Sequence, residues 1–203
     1  MSQPSTPKPP SYDSSSIRVL EFWEAVRKRP HMYIGSVAGD GLHHLLYFAV
    51  DSLITHYQHL GCRLERITVR LEDDGSAILS SHGQVSEAFL QRSAALVERE
   101  LRAAGMAYLG IVNGLSARLS AGVRGSQNRW YEVTFQQGMP LQDQPNERVA
   151  DADKDIEVHF WPDFTILNHG SFDYDHAVEK LRPFLESAPT VTITVVASHV
   201  EAE

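Results

Sequence analysis

Residues 41–61, GLHHLLYFAVDSLITHYQHLG, decide the fold. Leu42, Leu45, Leu46, Ala49, Val50, Leu53, Ile54 and Tyr57 recur at helical spacing, which predicts a helix with one buried stripe that Gly61 terminates. The opposite stripe carries His44, Phe48, Asp51, Ser52, Thr55 and His59. All but Phe48 suit a polar surface. A phenyl ring among such neighbours predicts that it is at least partly buried, packed by a residue such as Met106 or Tyr108.

Toward the N-terminus, IRVLEFWEAVRKR places Ile17, Leu20, Phe22, Trp23 and Val26 for a short helix that Pro30 stops. The basic cluster Arg27, Lys28, Arg29 reads as the last turn of that helix, where cations complement the macrodipole. The first ten residues, rich in Pro and Ser, predict a disordered tail. Toward the C-terminus, Ile67, Val69 and Leu71 alternate along a strand from Leu64 to Leu71, and residues 73–76 turn the chain into Ala77 to Leu79 as a hairpin.

Two helices are expected next, Ser86 to Ala104 and Tyr108 to Leu119. They precede strands at Arg129 to Gln136, Met139 to Leu141, Ile156 to Trp161 and Thr190 to Ala197, with a helix from Tyr174 to Leu185 before the last. Asp143 to Asp155, acidic and without periodicity, reads as a mobile loop. Helices gathered on one face of a mixed sheet make a two-layer α/β sandwich. No linker or repeat divides residues 11–203, which read as one domain.

A chain of 203 residues, 42% hydrophobic and 22% charged, can bury a sizeable core as an ordinary soluble domain. A net charge of -8 argues against direct nucleic-acid binding, which needs clustered Lys and Arg. The single cysteine, Cys62, excludes an intrachain disulfide and fits a cytoplasmic protein. No apolar run approaches membrane-spanning length, and MSQPSTPKPP has no signal-peptide core. Ten histidines raise the question of a metal. His56 and His59 share a helical face, but His43 and His44 diverge and no acidic or cysteine set completes a tetrahedron, so no metal site is expected.

The run SYDSSSIRVLEFWEAVRKRPHMYI (Ser11 to Ile34), followed by Gly35 and by GLHHLLYFAVDSLI, closely resembles the start of the type II topoisomerase B subunits, the DNA gyrase B family. Weaker similarity continues through Val112, Asn113, Leu115 and Ser116, through Val158, Phe160, Trp161 and Pro162, and from Phe172 to Leu181. The resemblance implies a GHKL (Bergerat-type) nucleotide-binding domain. The sequence stops where that family's transducer domain would begin, so a domain standing without its transducer is the expectation.

Transferred one by one, the family's functional positions are altered. The family helix reads like FEVVDNAIDE, its glutamate activating water and its asparagine holding magnesium. Here Phe48 takes the position of the base and Ser52 that of the metal ligand, while Asp51 survives and Thr55 and His56 replace further acidic positions. Hydrolysis needs both a base and a metal. The family's adenine-binding turn, DDGRGIP, aligns with Ser81 to Ser86 and keeps only Gly83; the family's threonine behind the adenine aligns with Ile156, on the strand IEVHFW. His82 in that turn reads as solvent-facing. The glycine-rich lid aligns with Ala103 to Tyr108, where Gly105 alone cannot make a phosphate cradle.

The resemblance therefore implies a vestigial cleft (Asp51, Ser52, Ser81, Gly83, Ile156) with no catalytic residue and no cofactor, in a pseudo-ATPase that acts by protein contacts. The family's N-terminal arm reaches a second protomer through a tyrosine and an isoleucine, matched here by Tyr12 and Ile17, which makes residues 11–17 a candidate exchange arm toward a second copy or a true gyrase B protein. The enzyme-class alternative is a shortened ATP-binding protein with weak binding or hydrolysis. A small-molecule module using the cleft is a third reading.

Overall fold

The long central helix lays its apolar stripe against a sheet, and everything else is arranged around that contact. The computed structural model describes residues 19–92, 108–142, 145–150, 153–168, 170–187 and 190–198. Helix α1 spans Phe22–Lys28, α2 His31–Ile34 and α3 Asp40–His59. The Glu24 carboxylate accepts a hydrogen bond from the Glu21 N–H at 3.0 Å, satisfying one of the orphan donors at the start of α1. Pro30, which ends α1, begins α2, where its missing N–H costs nothing. Gly35 then leaves α2 at φ 72°, in the left-handed region.

The strands are β1 Arg63–Leu71, β2 Ala77–Gln84, β3 Ser116–Gly125, β4 Arg129–Gln136, β5 Met139–Pro140, β6 Asn146–Val149, β7 Ile156–Pro162 and β8 Thr192–Ala197. Helix α4 spans Tyr108–Gly114 and α5 Tyr174–Ser187. The eight strands form one sheet in the order β5-β4-β3-β7-β2-β1-β8, with β6 also on β4. Among the described residues only β1 and β8 run parallel; the other pairs are antiparallel, so the sheet is mixed. With helices packed on it, this is the two-layer α/β sandwich expected.

Leu45, Leu46, Ala49 and Val50 of α3 are fully buried, as are the inward residues Ile67, Val69, Leu79, Val158 and Phe160 of the sheet. Each large side chain so buried stabilises the fold by about 1.5 to 3 kcal/mol relative to exposure.

The hairpin is longer than its sequence suggests: Ser81 to Gln84 do not turn but continue β2, paired with β1 as far as Gln84 with Arg63. Residues 87–92 are helical, as expected at the start of the Ser86–Ala104 helix, whose remainder lies outside the described residues. The helix expected over Tyr108–Leu119 stops at Gly114, and β3 starts two residues later. This strand sits between β4 and β7. A Cβ at its Gly122 would lie 2.3 Å from the Trp130 ring, so the strand is shaped by cross-strand packing that its own residues do not announce.

The stretch read as a mobile loop, Asp143 to Asp155, contains β6 on the edge of β4 and ends in a fully buried aspartate. Among the described residues no helix is long and apolar enough to cross a membrane.

Candidate functional site

The face of α3 that would carry the family's chemistry is covered by rings. Phe48 is 9% exposed. Tyr108, at the start of α4, lies parallel to it with ring centres 4.6 Å apart and 5° between planes. Tyr47 meets the same ring edge-on at 6.0 Å, and His44 lies 6.1 Å away. The partial burial expected of Phe48 is therefore present, and Tyr108 supplies it. Ser52, at the metal position, is also buried, and its hydroxyl has no hydrogen-bond partner among the described residues. Asp51 is half-buried, and that desolvation pushes its carboxyl above the ordinary carboxylate range.

The remaining cleft positions gather round a carboxylate that nothing in the sequence pattern singles out. Ser81 and Ile156 face each other across β2 and β7. Between them and the end of α3 sits Asp155, 0% exposed. It accepts hydrogen bonds from the Tyr57 hydroxyl at 3.0 Å and the Gly83 N–H at 2.8 Å, and pairs with the Arg124 guanidinium. Ser81 is drawn in as well, its hydroxyl 3.3 Å from that of Tyr57. Burial, with Asp155 adding to it, pushes the Tyr57 phenol far above its ordinary pKa, so it stays a donor.

His82, expected to face solvent, is half-buried, with Nδ1 3.7 Å from Asp155. The one glycine retained from the adenine turn has a packing reason: a Cβ on Gly83 would stand 2.2 Å from the Arg63 carbonyl oxygen. Neither Asp155 nor Arg124 is legible in the sequence, since an aspartate at the end of an acidic stretch reads as solvated.

A concavity of about 870 Å³ with Phe48 in its lining opens between α2, the first half of α3 and α5. On its floor His176 Nε2 lies 2.6 Å from the Asp40 carboxylate, with Lys180 at 3.8 Å. The His176 hydrogen bond, helped by Lys180, holds Asp40 below the usual carboxylate range. His43 stacks on His176 at 4.0 Å and accepts a hydrogen bond from the Asp173 N–H at 3.1 Å. Burial lowers the pKa of both His43 and His44, leaving them neutral at pH 7.

The adjacent histidines thus point to different neighbours. His56 is buried edge-on to Phe89, whereas His59 is exposed. Among the described residues no group of three His, Cys, Asp or Glu could hold a metal ion.

A magnesium nucleotide needs hard oxygen ligands and a hydrogen-bond acceptor for the base. Phe48 and an unpartnered Ser52 hydroxyl stand where the first would be, and the Ser81 hydroxyl is engaged with Tyr57. The described residues do not fit that group. Tyr12, Ile17, Met106 and Ala103–Ala107 of the lid lie outside the described residues.

No protein-family model matches the chain. Among curated proteins it is 32% identical to the DNA gyrase B protein of Chlamydia pneumoniae over 202 aligned positions, covering 87% of this chain and 24% of that protein. It is 32% identical to the DNA gyrase B protein of Haloferax volcanii over 208 positions, covering 90% of this chain and 32% of the relative. Against the DNA gyrase B protein of Mycobacterium tuberculosis it is 28% identical, with 90% and 29% covered. The chain spans between about a quarter and a third of the length of these relatives. Similarity over nine-tenths of the chain, together with the mixed sheet and its covering helices, leads to one conclusion: the chain belongs to the DNA gyrase B family, as a homologue of its ATPase domain.

Proposed function

We propose that this domain is a cytoplasmic, non-hydrolysing relative of the gyrase B ATPase that acts through protein contacts, its partner being a second copy or a true gyrase B protein. The observation that carries the reading is the Phe48–Tyr108 stack, at 4.6 Å, in the place of a water-activating carboxylate. A ring cannot take a proton from water. The Asp155 network supports the same reading, because it ties Ser81 and Gly83 into the core instead of leaving them to a ligand. With the catalytic face given over to packing, the retained SYDSSSI segment with Tyr12 and Ile17 is the feature left to act, by analogy with an arm that crosses between protomers.

Thermal unfolding with and without magnesium ATP tests the loss of nucleotide binding. A millimolar excess over a micromolar site would add about 4 kcal/mol to stability, a shift of several degrees. No shift and no phosphate release are expected. A clear shift would replace this reading with the ATP-binding alternative.

A further inference from the structure

The cavity beside Phe48 has two walls of contrasting chemistry. One is aromatic: Tyr33, Tyr47 and Phe48 line it, Phe48 backed by Tyr108 and Tyr47 by Phe184 at 4.6 Å. The other is α5, which presents Glu179, Lys180 and Pro183. Lys180 and His176 both converge on Asp40, so that carboxylate is already satisfied. Glu179 is exposed and has no ion-pair partner among the described residues.

Pro183 lies inside α5 and has no N–H to give to the carbonyl four residues earlier, which is that of Glu179. Residues four apart share a helix face, and both of these line the cavity. Glu179 therefore offers its carboxylate and a main-chain carbonyl released from the helical ladder, across from a wall of π faces. Asp40 is taken up by His176 and Lys180, so the carboxylate left to a ligand is that of Glu179. Two acceptors, one of them an unpaired carboxylate, call for a cationic group with several donors, which an ammonium is. Aromatic faces accept a stacked ring or the cation itself. At about 870 Å³ the space suits a small organic molecule.

We propose that this cavity is a binding site for a small arylalkylamine, its ring held among Tyr33, Tyr47 and Phe48 and its ammonium donating to the carboxylate and the carbonyl of Glu179. The site is independent of the protein-contact reading, and neither depends on the other.

Calorimetric titration of the whole chain tests it, with phenethylamine as probe and phenylacetate as a control of reversed charge. Phenethylamine is expected to saturate with a Kd below about 1 mM, while phenylacetate shows no binding. Glu179→Gln, at an exposed position, weakens the amine about tenfold, the worth of a hydrogen bond to a charged group. Pro183→Ala restores the helical N–H, so it raises the melting temperature while weakening the amine several-fold. A proline that served packing alone would not link these two changes. Failure of phenethylamine to saturate, equal or tighter binding of phenylacetate, or unchanged amine affinity in either variant overturns the site.

Discussion

At position 48 the family's carboxylate has been exchanged for a ring that the fold now uses, since Phe48 joins Tyr108 and Tyr47 in one aromatic cluster. Phe48→Glu restores the family residue but removes a buried ring and places a charge among its neighbours. It is expected to destabilise the domain by about 2 to 4 kcal/mol and to yield no ATP hydrolysis. Urea denaturation and a phosphate-release assay check the two halves; an unchanged unfolding midpoint would mean that the ring is not part of the packing.

Asp155 makes the complementary case. It is held by Arg124, Tyr57 and Gly83 and lies out of water. Asp155→Asn leaves the Arg124 guanidinium without its counter-charge, an expected loss of about 3 to 5 kcal/mol in the same denaturation experiment. A loss under about 1 kcal/mol, the scale of an ordinary hydrogen bond, would show the network to be dispensable. Phe48 stands out in the sequence because it breaks the pattern of its helix face. Asp155 does not, because burial of a loop carboxylate is decided by strands far away in the chain.

Among the secondary elements, α1 shows what the most family-like motif does here. Arg27 donates to the Gly114 carbonyl at 3.0 Å and to Asp163 at 2.6 Å, so the basic cluster is not only a helix end but the clamp of α1 onto α4 and the end of β7. Burial works to raise the pKa of Asp163, yet hydrogen bonds from Thr165 and the pairing with Arg27 outweigh it and hold the carboxyl below its usual value. A carboxylate depressed in the folded state contributes stability above its unfolded pKa, about 3.9, and that contribution fades as pH falls through the lower folded value.

Asp163→Asn is therefore expected to cost stability at pH 7, with the gap to the parent narrowing below about pH 4. Denaturant midpoints at pH 7 and pH 3 measure it, and a gap that is the same at both would sink the assignment. Helix α3 is legible in the sequence because its apolar residues keep helical period along its whole length. Strand β3 is not, because Ala117, Ala121 and Gly122 give no strand signal and Trp130 supplies the packing from the next strand.

For the whole molecule the question is association. Two small anchors, Tyr12 and Ile17, offset ordering costs of about 1 to 2 kcal/mol per residue only weakly, so self-association through residues 11–17 should be weak and a true gyrase B protein should be the better partner. Light scattering over a concentration series, with and without added gyrase B domain, is expected to show association that removal of residues 1–17 abolishes while the domain stays folded. A chain that stays monomeric and ignores the added domain would end the protein-contact proposal.

By itself the sequence determined the two-layer fold, the long helix and its buried stripe, and the replacement of family positions at Phe48, Ser52 and Ser81. All of these are local: they depend on period or on which residue occupies one place. Only the tertiary structure decided that the hairpin runs on through Gly83, that β3 and β6 complete the sheet, and that Asp155 is sealed by Arg124 and Tyr57. It also showed that a cavity remains beside Phe48. Strand pairing and buried charge depend on partners tens of residues away, and no window of sequence contains both members of such a pair.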